Sequence, residues 1–152
     1  MGTEVRSPMA GGEPRDAAPD ASEDVAANAL VVLVVDDEPV VRAWLARALT
    51  REGIHVVVAA DGRQALRLIA DGAVHAQVLL TDLEMPSMGG VELAARVHAL
   101  RPSMRIVMMT GDPEKAANAR EHSTIVAAVL DKPVMIPDLI VAVRPGPQHA
   151  VT

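Results

Sequence analysis

From residue 30 onward, short apolar runs alternate with helically spaced segments, five of each, and this alternation leaves few folds open to the chain. The first run, LVVLVV at residues 30–35, is continuous and rich in Val, the pattern of a strand buried on both faces. A helix is predicted over Pro39–Glu52, with Pro39 at its first position and Gly53 just past its end. Val40, Val41, Trp44, Leu45, Ala48 and Leu49 recur there at helical spacing and predict one buried face. His55–Ala59 reads as the second strand, and Asp61 as the cap of a helix running to Ala70 and closed by Gly72. Val78–Thr81 is the third strand; the loop LEMPSMG then leads to a helix near Gly90–Leu100. Arg105–Met109 is the fourth strand. Asp112 and Pro113 open a helix whose apolar side holds only alanines, which predicts weak docking and mobility. Ala127–Leu130 is the fifth strand. The last helix, about Pro137–Val143, is apolar nearly all round, so it is either deeply buried or turns one side to a partner. The pattern predicts an α/β fold, an open parallel sheet with helices on both faces and right-handed crossovers.

The strand ends carry the chemistry. The first strand runs into Asp36, Asp37 and Glu38, and the third into Asp82. In a sheet of order 2-1-3-4-5 these two strands flank the switch point, where ligands bind outside the carboxyl ends. Asp36, Asp37 and Asp82 are thereby expected in one pocket, with Thr110 and Lys132 from the fourth and fifth strands on its other side. Two carboxylates about 4 Å apart repel by roughly 4 kcal/mol at an effective dielectric of 20. A hard divalent cation offsets that repulsion, and Mg²⁺ takes such oxygen ligands. A lysine and a hydroxyl facing the same pocket suit a phosphoryl group, which a carboxylate can accept as an aspartyl phosphate. Asp82 stands alone opposite the acid pair and is the expected nucleophile. Glu84 and Asp112 each lie two residues beyond a site residue and are candidates for tuning the approach of a hydrolytic water.

Composition narrows the alternatives. Trp44 is the one aromatic residue, and Phe, Tyr and Cys are absent, which removes stacking platforms for single-stranded nucleic acid, disulfides and thiol chemistry. The net charge of −6 is concentrated in residues 1–28, an acidic Ala-, Gly- and Pro-rich stretch expected to be a disordered tail, and no basic stripe points to nucleic acid. No apolar run reaches membrane-spanning length, and no signal peptide is read at the start. A cytoplasmic location is expected. The five histidines lack ligand spacing, and Met85, Met88, Met108 and Met109 are expected to pack in the core or loops.

The segments VVDDEPVVR, TDLEMPSMGG, VMMTG and LDKP, in this order and spacing, resemble the motifs of response-regulator receiver domains of bacterial two-component signalling. The resemblance covers residues 29–144, leaving 145–152 as a short C-terminal tail, and implies the CheY-like, flavodoxin-like (βα)5 fold. It implies that Asp82 is the phosphoacceptor. Asp36 and Asp37 would form the acidic pair at Mg²⁺ or Mn²⁺, with Asp82 and the backbone carbonyl of Glu84 completing the protein ligands. Thr110 would bind a phosphoryl oxygen and move on activation, and Lys132 would pair with the phosphoryl group. The Lys132–Pro133 bond would be cis. The implied partners are a histidine kinase or phosphotransfer protein as donor and a downstream protein as target. A homodimer through the fourth helix, fifth strand and fifth helix is compatible with the family. With no output domain visible after Arg144, a single-domain regulator signalling by protein contact is expected, self-catalysing its phosphoryl uptake and loss without acting on an outside substrate.

Two positions depart from the family. Val129 stands where receivers often carry Tyr or Phe as a switch coupled to the threonine, and the last helix ends early. The first departure favours an alternative, a pseudo-receiver that works as an unphosphorylated interaction module. A small aspartate-nucleophile phosphatase is a second alternative, although the Asp-x-Asp pair and cap domain of such enzymes are not visible. A phosphoryl sink is a third.

Overall fold

In the computed structural model, which describes residues 29–122 and 124–144, the strands are β1 (Val31–Val35), β2 (His55–Ala59), β3 (Val78–Asp82), β4 (Arg105–Thr110) and β5 (Ala128–Asp131). The helices are α1 (Pro39–Arg51), α2 (Gly62–Ala70), α3 (Gly90–Leu100), α4 (Pro113–Arg120) and α5 (Ile136–Val143). The strands form one parallel sheet in the order β2-β1-β3-β4-β5, the doubly wound order expected from the sequence. The expected tails, residues 1–28 and 145–152, lie outside the described residues.

Alternation along each central strand splits the core in two. Leu33, Val35, Leu79, Ile106 and Met108 point to one face, where α2, α3 and α4 cover them through Ile69, Leu93, Val97 and Ala119. Val32, Val34, Leu80, Val107 and Met109 point to the other, beneath Leu45 and Leu49 of α1 and Leu139 and Val143 of α5. Adjacent Met108 and Met109 are thus both fully buried, in different cores. Burial of each such side chain contributes about 1.5–3 kcal/mol.

Local chemistry sets the boundaries. Asp61 caps α2 by accepting the Gln64 N–H, and Asp112 caps α4 by accepting those of Glu114 and Lys115. Gly53 follows α1 at φ 79°, a left-handed conformation that costs glycine little. Side-chain donors from elsewhere satisfy carbonyls at helix ends: Arg101 bonds that of Ile69, Arg105 that of Ala142, and Arg144 that of Glu52, the residue that caps α1.

One expectation needs correction and one alternative falls away. Only Leu45, Ala48 and Leu49 of α1 are buried, whereas Val40 is 80% and Trp44 39% exposed. Both border a groove with Pro133 and Val134 instead of lying on strands, because the first turns of α1 stand at the carboxyl edge of the sheet. The last helix buries one side, Leu139, Ala142 and Val143, and leaves Ile136 and Val141 exposed, so it is not deeply buried all round.

Candidate functional site

β1 and β3 are neighbours in register, Val35 opposite Thr81, so the residues that follow them meet at the sheet's carboxyl edge. Carboxylate oxygens of Asp36, Asp37 and Asp82 all lie within 4.8 Å of one another; Asp36 and Asp82 are buried and Asp37 is exposed. Backbone groups orient the first two buried oxygens. Asp36 Oδ1 accepts the Glu38 N–H at 2.9 Å, and Asp82 Oδ1 accepts the Glu84 N–H at 3.2 Å. The Arg42 guanidinium donates to the Asp36 carbonyl at 2.7 Å and fixes the strand end.

The second oxygens face a cation. Lys132 Nζ lies 3.2 Å from Asp82 Oδ2 and 3.9 Å from Asp36 Oδ2. Asp36 Oδ2 has no hydrogen-bond partner among the described residues. Burial pushes the Asp36 carboxyl above its ordinary value, and repulsion from Asp82 and Asp37 adds to that, against the Glu38 N–H and Lys132. A buried oxygen without a donor, beside two more carboxylates, is the environment a hard divalent cation relieves, so the residues present fit Mg²⁺.

β4 and β5 supply the other side. Thr110 is fully buried; its hydroxyl lies 3.4 Å from Glu84 Oε1 and accepts the Asp112 N–H at 3.1 Å. The Lys132 N–H donates to the Thr110 carbonyl at 2.8 Å, which ties the two strand ends together, and the Lys132–Pro133 bond is cis. Asp112 caps α4. Val129 is half-buried on β5 and packs against the core around Leu33, with its carbonyl bonded by Arg120.

The loop after β3 closes the site from below. Gly90 opens α3 directly against the strand end, where an added Cβ would lie 2.7 Å from the Asp82 carbonyl oxygen and 2.8 Å from Leu83 Cα. Ser87 in the same loop has φ 72°. Sequence reasoning missed Lys115, whose Nζ pairs with Glu84 Oε2 at 2.8 Å. Its signal was rarity, since Lys115 and Lys132 are the two lysines of the chain.

The family model of the response regulator receiver domain matches residues 32–144. The chain belongs to that family. Over 109 residues this receiver domain is 33% identical to the response regulator receiver protein CpdR of Brucella abortus, covering 72% of the chain and 89% of that protein. It is 41% identical over 87 residues to a protein-glutamate methylesterase/protein-glutamine glutaminase of Caulobacter vibrioides, but this match spans 57% of the chain and only 24% of that protein. Among solved structures, the receiver domain of an HD domain-containing protein from Pseudomonas fluorescens superposes with a TM-score of 0.71 at 28% identity, over 80% of this chain and 97% of that one. The chemotaxis response regulator CheY4 of Vibrio cholerae gives 0.66 at 27% identity, over 75% and 95%. The CheY-like fold of the receiver is thus established. No helix among the described residues is long and apolar enough to cross a membrane.

Proposed function

We propose that this receiver domain takes a phosphoryl group onto Asp82 from a histidine kinase or phosphotransfer protein and signals by protein–protein contact in the cytoplasm. The observation that carries this reading is Lys132 Nζ, 3.2 Å from Asp82 Oδ2, beside a carboxylate cluster in which one buried oxygen has no hydrogen-bond partner among the described residues. An Asp82 carboxylate oxygen attacks phosphorus, the P–O bond forms as the P–N bond of the phosphohistidine breaks, and the electron pair stays with the imidazole nitrogen. That imidazole leaves neutral when its other nitrogen carries the proton. The Lys132 ammonium neutralises charge on the phosphoryl oxygens, and the Thr110 hydroxyl donates to one of them. Asp36, Asp37, Asp82 and the Glu84 carbonyl would hold Mg²⁺ or Mn²⁺, which when bound supplies Lewis-acid stabilisation of the phosphoryl oxygens. Attack of water on phosphorus then releases inorganic phosphate and restores the Asp82 carboxylate. The domain so turns over its own adduct and no outside substrate, with Glu84 and Asp112 placed to tune that hydrolysis. Residues 29–144 form the receiver unit in this reading, with 1–28 and 145–152 as tails. The target is a protein, or a second copy, meeting the face of α4, β5 and α5.

The test is intact mass after incubation with a small phosphodonor, with and without Mg²⁺, for the wild type and Asp82→Asn. One Mg²⁺-dependent phosphoryl adduct, absent in the variant, is the expected result. An unmodified wild type, also unmodified by phosphorylated donor proteins, would overturn the reading in favour of an interaction module that is never phosphorylated.

A further inference from the structure

Thr110 already faces partners on the protein in this structure. Its Oγ1 lies 3.4 Å from Glu84 Oε1, the other oxygen of Glu84 is held by Lys115 Nζ at 2.8 Å, and Thr110 Oγ1 accepts the Asp112 N–H at 3.1 Å. Asp112 in turn caps the helix that carries Lys115. A closed chain of contacts therefore runs from Thr110 through Glu84 and Lys115 into the first turn of α4, and back through Asp112 to Thr110. Hydrogen bonding to Glu84 raises the hold of Lys115 on its proton. Glu84 and Lys115 also line a groove of about 540 Å³ between the β3–α3 loop and α4, with Leu83, Met85 and Val91.

We propose that Lys115 is a positioning residue for the phosphoryl site: through Glu84 it holds the Thr110 hydroxyl in a resting orientation, and release of this pair couples site occupancy to α4. This rests on the function proposed above. A hydroxyl carries one proton, so Thr110 donates either to Glu84 or to a phosphoryl oxygen. An anion on Asp82 competes with Glu84 for that proton, and Lys115 sets how firmly Glu84 is kept in place. A contact made only in the resting state weakens occupancy of the site by its own free energy. The chain contains no Tyr or Phe, so a rotating phenyl or phenol ring cannot carry the signal, whereas α4 is connected to Thr110 directly.

The probe is beryllofluoride with Mg²⁺, which places a phosphoryl-like group on a carboxylate, titrated into the full chain of the wild type, Lys115→Ala and Lys115→Arg. Lys115 is half-exposed and joins neither core, so folding is not at stake. Lys115→Ala is expected to bind the probe about threefold more tightly, the size of effect an exposed ion pair gives, and Lys115→Arg to return to the wild-type value. Loss of a positive charge near an anion would by itself weaken binding, so the sign separates the latch from simple charge attraction. Equal or weaker binding by Lys115→Ala, with a wild type that binds, overturns the inference alone. A wild type that neither binds the probe nor accepts a phosphoryl group overturns the function proposed for the site, and the latch with it.

Discussion

Asp36 is buried, faces two other carboxylates, and keeps one oxygen without a donor among the described residues. In the metal-free protein its folded-state pKa lies above the ordinary 3.8, so between those two values the native state binds more protons than the unfolded one. Stability therefore falls as pH rises through that window and stays low above it. Asp36→Asn removes this dependence and should stabilise the metal-free protein at neutral pH by about 1 kcal/mol, as neutralising a poorly paired buried charge does. Thermal unfolding of both forms from pH 4 to 7, with and without Mg²⁺, checks it: Mg²⁺ should raise the wild-type midpoint by more than that of Asp36→Asn. A parallel pH profile in the two proteins would count against the assignment. Ser87 offers a second local test. At φ 72° a Cβ is strained, and Ser87→Gly should gain about 0.5–1 kcal/mol in urea denaturation. No gain would mean that the serine side chain offsets its own strain.

Among the elements, α3 and α4 are held in opposite ways. α3 starts hard against β3 at Gly90, where a Cβ would meet backbone at 2.7 Å, so Gly90→Ala should cost about 2–3 kcal/mol and displace the loop carrying Glu84. α4 buries only Ala116 and Ala119 and relies on its Asp112 cap. Asp112→Ala should cost about 1 kcal/mol, and α4 amides should exchange hydrogen faster than those of the other helices; protection equal to that of α3 would contradict the alanine-only docking. That thin contact was legible from the sequence, because no large apolar residue occurs in Pro113–Arg120. The strands were legible too, since runs such as LVVLVV are too short and too Val-rich for helices, whereas their order came from the common doubly wound arrangement and the family resemblance. The exposure of Val40 and Trp44 was not. Helical spacing marks a stripe, but only the sheet edge decides how far along that stripe contact extends. Nor was the Glu84–Lys115 pair, whose members are 31 positions apart and meet only after the sheet is assembled.

At the scale of the molecule, two cores share one sheet, and neither face can be uncovered without exposing the strands that carry the other. Urea unfolding should therefore be a single transition, with Trp44 fluorescence and far-ultraviolet circular dichroism superimposing; separated midpoints would show that the faces unfold independently. The same sheet gathers charged groups of different kinds at different places. Arginines, whose charge persists across the accessible pH range, tie down carbonyls at the C-terminal ends of α1, α2 and α5. The two lysines of the chain, by contrast, both stand at the carboxyl edge, Lys132 against Asp82 and Lys115 against Glu84. Side-chain primary amines are therefore confined to the one region where phosphoryl chemistry is proposed. An amine-directed label read at its side-chain adducts by peptide mapping becomes a reagent for that region in this chain, and shielding of Lys115 and Lys132 gives a direct chemical footprint of whatever occupies it.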